Sequence, residues 1–379
     1  MFSSKFPSVT TSIFSVMSKM ASEHNAINLS QGFPNFKSDP VLLDLVTKAM
    51  KDGHNQYAPM PGDLKLREQI SAKIEALHTK KYNPDTEIIC TAGATQAIFT
   101  AIAATIQKND EVILFTPAYD CYAPSITLFG GKVIPVQLHA PFYKPDWHQV
   151  KEAISSKTKM IIINSPHNPS GMLFTEKDML QLQEISEKNN LLVLSDEVYE
   201  HIIFDGEIHQ SAARFDVLAA RTFITASFGK TFHNTGWKMG YCVAPEKLMT
   251  EFRKVHQYVV FCVNHPIQKA LATYLQDSSH YLELGAFYQQ KRDYFITLLQ
   301  GSRFTVVPSK GTYFQLLDYS KITQQNDVAF AEKLTKQHGI ATIPTSVFNA
   351  NNEDFKQLRV CFAKTEITLQ NAAEILRTI

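Results

Sequence analysis

The sequence predicts an α/β fold built on a mostly parallel sheet, with a second and smaller α+β unit. Three observations carry that expectation. Short apolar runs alternate with amphipathic helical patterns through the middle of the chain, and several of those runs are apolar on both faces. Beyond residue 304 the pattern changes to short strands around one helix. At 379 residues the chain also exceeds what one hydrophobic core usually organises, so two domains are expected.

Taken in order, the strand candidates are EVILF (111–115), KVIPV (132–136), MIIIN (160–164), LLVLSDE (191–197), TFITASF (222–228) and MGYCVA (239–244). A strand covered by helices on both faces needs no polar alternation, which is why these read as continuous apolar runs. Between them 95–108 (TQAIFTAIAATIQK) and 177–188 space their apolar residues at the helical period. A long helical stretch over 246–300 is expected to break near Pro266 and near Asp277-Ser278-Ser279. In the tail, FTVVP (304–308), TYFQLLD (312–318), IATIP (340–344) and LRVCF (358–362) are strand candidates and 327–338 is helical. The N-terminal segment is expected to join this smaller unit.

Hydrophobic residues make up 44% and charged residues 19%, ordinary for a globular chain and wrong for a disordered one. Lys plus Arg (37) balance Asp plus Glu (36), so the net charge of +1 offers neither nucleic acid nor a membrane surface an electrostatic footprint. The five cysteines are scattered without a CxxC, and read as buried thiols of a reducing compartment. The first twenty residues lack an apolar core and a small-residue cleavage site, and no apolar run reaches membrane-spanning length. A cytoplasmic protein is expected. Thirteen histidines are present, but no HExxH or Cys/His spacing points to a metal.

The chemistry is concentrated in a few short segments. SFGKTFHNTGWKMGY (227–241) sets Lys230 in a Ser/Gly/Thr turn after a buried strand, where an amine can be desolvated and made nucleophilic. The GKT of 229–231 is not a nucleotide-binding P-loop: that pattern needs glycine where Ile224 stands, and a helix where His233-Asn234-Thr235-Gly236 reads as loop. Asp196 and Tyr199 close the strand LLVLSDE at the edge where parallel α/β sheets bind ligands. MIIIN runs out into NSPHNPSG (164–171), a loop enforced by Pro and Gly that contains Asn168. Gly93-Ala94-Thr95 precedes a helix, whose N–H groups and dipole suit a phosphate. Each has a plainer reading when taken alone: a loop lysine, a helix-capping carboxylate, a turn asparagine, a threonine N-cap.

Together they resemble something specific. GAT (93–95), NSPHNPSG (164–171), SDEVYE (195–200), SFGKT (227–231), WKMGY (237–241) and LRVCFAK (358–364) look like the fold-type-I, class I/II aminotransferases, in that family's order and over nearly the whole chain. LSQGFPNF (29–36), NQYAPMPG (55–62), PAYDCYAP (117–124), GWKMGYCVAP (236–245) and KVHQY (254–258) are closest to the methionine and kynurenine/glutamine branch. The resemblance implies a seven-stranded large domain over 46–275, a small domain from 1–45 and 276–379, and pyridoxal 5'-phosphate as cofactor.

It also implies roles. Lys230 would carry the cofactor as a Schiff base and then move the substrate Cα proton. Asp196 would pair with the pyridine nitrogen, Asn168 and Tyr199 would donate to the ring oxygen, and Tyr119 would stack on the ring. Ala94, Thr95, Ser227 and Lys238 would hold the phosphate, with Lys238 where many relatives have Arg. Tyr57 would reach the phosphate of a neighbouring subunit, making a homodimer with shared sites. Arg359, with Gly32 beside it, would bind the substrate α-carboxylate through its planar fork, and Asn168 would touch the substrate as well as the cofactor. QYVVFCVNHP (257–266) has no Arg or Lys, so a second carboxylate would go unpaired while an apolar or aromatic side chain is accepted. Phe14, Phe33, Tyr57, Tyr119 and Phe261 are candidates to line that pocket, and His167 and His233 stand beside the motifs.

The expected activity is therefore transfer of an amino group from an apolar or aromatic amino acid, methionine favoured, to a 2-oxo acid. The alternatives are C–S β-elimination on the same scaffold, or kynurenine or glutamine as the main donor. An aminotransferase-like sensor domain of a transcription regulator is disfavoured, because too few residues precede the first motif for a helix-turn-helix module.

Overall fold

The described residues form twelve strands, of which β3 to β12 grow from the expected runs: β1 (Ile27–Asn28), β2 (Ile88–Thr91), β3 (Glu111–Thr116), β4 (Lys132–Gln137), β5 (Thr158–Asn164), β6 (Leu192–Asp196), β7 (Thr222–Ser227), β8 (Gly240–Val243), β9 (Phe314–Asp318), β10 (Ile340–Ala341), β11 (Ile343–Pro344) and β12 (Gln357–Cys361). They are seen in a computed structural model that describes residues 3–7 and 9–379. Seven form one sheet in the order β2-β8-β7-β6-β5-β3-β4. The pairs from β4 through β3, β5 and β6 to β7 are parallel, and β8 runs antiparallel between β7 and β2. The expected α/β, mostly parallel seven-stranded sheet is present.

Register decides where the chemistry can be. Asn164 faces Asp196 across β5 and β6, Ser227 faces Gly240 across β7 and β8, and Thr91 at the end of β2 faces the same Gly240. One edge of the sheet thus gathers the ends of five strands and the loops that follow them. Helices cover both faces, as the unbroken apolar runs require. The helix Gly93–Thr105 lays Ala97, Ile98, Ala101 and Ile102 on one face against Val112, Leu114, Ile162 and Leu194. The other face packs Ile113, Ile161, Ile163 and Val193 into the main core.

The remaining strands make two small sheets. β11, β12 and β9 are antiparallel with β12 central, and β1 pairs in parallel with β10. The β1 pairing ties the N-terminal segment to the C-terminal unit, and the helix Ile13–Glu23 packs beside Asp327–His338. The helix Pro40–Lys51 lies along His265–Tyr274 and runs through position 45/46 without a break.

Several boundaries differ from expectation. FTVVP (304–308) makes no strand: Thr305 forms only an isolated bridge to Asp318, and Pro308 has no N–H to extend a ladder. The helix expected from Thr95 begins at Gly93, with Ala92 at the N-cap position and no side-chain cap. Lys230 sits within one helical turn, Phe228–Thr231, rather than in a plain turn. The 246–300 stretch resolves into Glu246–Val259, His265–Tyr274, Ser279–Leu282 and Leu284–Leu298, broken where Pro266 and Asp277–Ser279 predicted. All five cysteines are free, with Cys90, Cys242 and Cys361 buried. Among the described residues no helix is long and apolar enough to cross a membrane, and no cluster of His, Cys, Asp and Glu suits a metal ion.

Candidate active site

At the shared strand edge lies a cavity of about 310 Å³, and it brings together most of the residues singled out from the sequence. Ala94 and Thr95 come from the helix start, Asp196 from the end of β6, and Ser227, Lys230 and Lys238 from the β7–β8 connection. Tyr119, Asn168 and Tyr199 come from loops after β3, β5 and β6, Gly32 from the N-terminal segment, and Arg359 from β12.

Burial tunes the amine at its centre. Among the described residues Lys230 Nζ donates only to Gly32 O, at 3.2 Å, and desolvation lowers its pKa from 10.5 to about 8. Arg359 and Lys238 push it the same way, and Asp196 opposes them. The Tyr199 and Tyr313 rings lie 5.8 and 5.6 Å from the ammonium.

Asp196 is the carboxylate opposite. Tyr122 Oη donates to Oδ2 at 2.5 Å and Val198 N to Oδ1 at 3.3 Å, yet burial raises the group from 3.8 to about 6. Two hydrogen bonds do not replace the water it has lost, so a cationic partner would stabilise it. Asn164 Nδ2 donates to Asp196 O at 2.9 Å and Asn164 Oδ1 accepts from Asn168 N at 2.8 Å, which holds the two loops together.

Arg359 is the least expected in its isolation. Its side chain is 1% exposed and lies in the central strand of its sheet, not at a solvent-facing edge. Nη1 donates to Asn168 Oδ1 at 2.8 Å and Nη2 to Ser30 O at 3.0 Å, while Nε has no partner among the described residues. The guanidinium stacks 3.9 Å from the Phe314 ring centre and 5.1 Å from that of Phe14. No Asp or Glu among the described residues lies within ion-pair distance of it. A buried cation without a counter-charge is costly, so this is a place prepared for an anion.

The other end of the cavity is a second anion cradle. Gly93 has φ +76°, a value that glycine takes readily, and the helix it opens has no side-chain cap on its first N–H groups. A Cβ on Gly93 would meet Lys238 Nζ at 3.4 Å, so that ammonium stands over the helix start. Tyr119 and Tyr199 are driven up in pKa by burial and remain neutral hydrogen donors.

Four expected positions fall elsewhere. Phe14 and Phe33 line the cavity, but Tyr57 and Phe261 do not: they pack edge-on at 5.6 Å on the surface, and Tyr57 is 82% exposed. His167 and His233 also stay outside it. His167 bridges Pro117 O and Ser170 Oγ, His233 bonds Tyr288 Oη, and burial lowers both to about 4. The sequence reading missed Tyr122, Phe314 and Gln31, which line the cavity, and Tyr313, which bonds Gly32 O. Tyr122 and Gln31 carried a signal, since they stand in PAYDCYAP, three residues after Tyr119, and in LSQGFPNF.

A sequence model of the family "Aminotransferase class I and II" matches residues 24–376. The chain belongs to the class I and II aminotransferases. This aminotransferase is 46% identical over 377 residues to the methionine aminotransferase of Escherichia coli (strain K12), a match covering 99% of this chain and 98% of that one. It is 33% identical to a kynurenine–oxoglutarate transaminase of Dictyostelium discoideum, over 96% and 93% of the two chains. The crystal structure of an Escherichia coli protein described as having methionine aminotransferase function superposes with a TM-score of 0.98 at 46% identity, over 100% of both chains. The N-succinyldiaminopimelate aminotransferase of Mycobacterium tuberculosis superposes at 0.96 and 33% identity, over 100% of both.

Enzymes of this family are generally dependent on pyridoxal 5'-phosphate. The cavity of this aminotransferase fits that group on three observations of its own: a helix start without a side-chain cap and with Lys238 over it, a buried Asp196 with no cation in ion-pair distance among the described residues, and a desolvated amine lining the same cavity.

Proposed function

We propose that this aminotransferase uses pyridoxal 5'-phosphate to move the amino group of an apolar or aromatic amino acid, methionine favoured, to a 2-oxo acid. The cofactor, when bound, supplies an aldehyde that takes up the amino group and a ring that accepts electrons. Everything else is done by side chains of this chain.

The observation that carries the reading is one cavity lined both by an amine whose pKa is lowered to about 8 and by a buried guanidinium with no counter-ion among the described residues. Arg359 is suited to take the α-carboxylate in a two-pronged grip, with the Gly32 N–H beside it, which fixes the direction of the Cα–H bond. Lys230, partly neutral near pH 8, can hold the Cα proton on Nζ and return it elsewhere, so one group acts as base and then as acid. Asp196 is suited to a protonated ring nitrogen, and that pairing would relieve its burial. Asn168 and Tyr199 offer donors toward the ring oxygen, Tyr119 a ring face, and Ala94, Thr95, Ser227 and Lys238 the phosphate grip. Tyr57 is suited to reach a partner subunit's phosphate.

The donor preference rests on what surrounds Arg359. Phe14 faces Phe348 at 5.7 Å and Tyr119 at 6.4 Å, and Phe33 stands at the mouth. An apolar side chain gains by burial there, whereas a second carboxylate would be desolvated without a cation. The similarity to a methionine aminotransferase supports methionine, and the likeness to kynurenine transaminases supports an aromatic donor as well.

The test is a panel of donors, methionine, phenylalanine, kynurenine, glutamine and aspartate, against several 2-oxo acids. Methionine or an aromatic donor should lead and aspartate should trail; leading turnover with aspartate would refute the neutral pocket. Pyruvate release from cystathionine without any oxo acid, faster than methionine transfer, would instead make the protein chiefly a lyase.

A further inference from the structure

Residues 30–33 run past the cavity without regular structure, and four consecutive carbonyls along them are each held by a side-chain donor. Arg359 Nη2 donates to Ser30 O at 3.0 Å. Lys364 Nζ donates to Gln31 O at 3.4 Å and to Phe33 O at 2.8 Å. Gly32 O accepts from Tyr313 Oη at 2.6 Å and Lys230 Nζ at 3.2 Å. The amides are disposed differently. The N–H groups of Ser30 and Gln31 both donate to Asn28 Oδ1, whereas those of Gly32 and Phe33 have no partner among the described residues.

A peptide unit is planar, with its C=O and the next N–H pointing in opposite directions. Whatever fixes the Gln31 carbonyl therefore fixes the Gly32 N–H. Lys364 does this from outside the cavity. It is 3% exposed, has no carboxylate within ion-pair distance among the described residues, and stands 5.2 Å over the Phe33 ring. Gly32 itself is closely packed, since a Cβ there would lie 2.8 Å from Phe314 Cζ.

We propose that Lys364 is a positioning residue for the substrate carboxylate: by holding the carbonyls of Gln31 and Phe33, its buried ammonium aims the Gly32 N–H into the cavity beside Arg359. This rests on the donor reading above. Its charge also polarises the Gln31–Gly32 peptide, making that N–H a better donor to an anion.

Two half-substrates separate this role from general support of the fold. With the cofactor-loaded enzyme, 4-(methylthio)butanoate probes the carboxylate grip and 3-(methylthio)propylamine the rest of the pocket. Lys364→Met should weaken the acid about tenfold, one charge-assisted hydrogen bond's worth, and leave the amine within about twofold. KM for methionine should rise more than kcat falls, and Lys364→Arg should recover the acid. If Lys364→Met weakens acid and amine alike, or neither, the proposal is wrong. Should the Met variant not fold, Lys364→Gln, which keeps one neutral donor, reads the same ratio. A wild-type enzyme that transaminates neither methionine nor any aromatic donor refutes the donor reading, and this inference with it; an active wild type with an unchanged ratio refutes Lys364 alone.

Discussion

Two buried groups of opposite sign set the behaviour of single residues here. Lys230 is pushed down from 10.5 to about 8, so the neutral amine becomes the major form at a much lower pH than in an ordinary lysine. The rate at which cofactor-free protein captures pyridoxal phosphate should therefore climb with pH and reach its half-maximum near 8; a midpoint near 10.5 would contradict the burial argument. Asp196 is raised from 3.8 to about 6, so between those values the folded state binds more protons than the unfolded one. Stability without cofactor then falls as pH rises through that window, and Asp196 weakens the apo fold at neutral pH. Asp196→Asn, which still accepts from Tyr122, should raise the apo melting temperature at pH 7 and not at pH 4. It should also slow transamination by about a hundredfold or more, because a preorganised charge at the ring is lost. Near-normal turnover would remove Asp196 from the role proposed for it.

Elements explain why these residues meet. β6 ends at Asp196, and the turn beyond it is held from behind by charges that point away from the cavity. Glu197 accepts from His209 Nε2 at 2.8 Å and Ala212 N at 3.0 Å, and Glu200 accepts from Lys73 Nζ at 2.6 Å and Tyr241 Oη at 2.8 Å. Burial alone would raise the Glu200 carboxyl, but Lys73 holds it well below the usual range. Lys73→Met should cost about 3–5 kcal/mol in chemical denaturation, with much of the loss restored by adding Glu200→Gln. β8 shows the same dependence on close approach: a Cβ on Gly240 would lie 2.5 Å from Ala226 O and 3.0 Å from Ala94 N. Gly240→Ala should weaken pyridoxal phosphate binding by about 1–3 kcal/mol by displacing the helix start, while Gly236→Ala, with open space around it, should not. The motif strands were legible because their apolar runs are long and end in loops rich in Pro, Gly and Asn. β2 was not, since four residues carry too short a pattern, and FTVVP misled because composition cannot report whether a partner strand is within reach. Nothing in spacing joins Lys73 to Glu200, which stand 127 positions apart, or Tyr313 to Gly32, 281 apart.

At the scale of the molecule, the resemblance read from the motifs anticipated the seven-stranded sheet and the family, while the surface is where one chain stops explaining itself. Tyr57, Tyr258, Val259 and Phe261 are 82%, 85%, 46% and 42% exposed, an aromatic patch that a solitary chain has no reason to leave in water. The proposed homodimer would cover that patch and bring Tyr57 to the partner subunit's phosphate site. Subunit mixing tests this directly. Lys230→Ala protein lacks the amine, and Tyr57→Ala protein should hold the cofactor poorly; each alone should be weak or inactive. If Tyr57 serves its neighbour, a hybrid dimer contains one site with an intact Lys230 and an intact Tyr57 contributed across the interface. Random exchange makes about half of the dimers hybrid, each with one intact site of two, so activity should return to about a quarter of wild type. If Tyr57 serves its own subunit, no hybrid site is whole and mixing restores nothing. Recovery should also fail under conditions where sedimentation shows that subunits do not exchange, since the gain depends on shared sites rather than on either variant improving by itself.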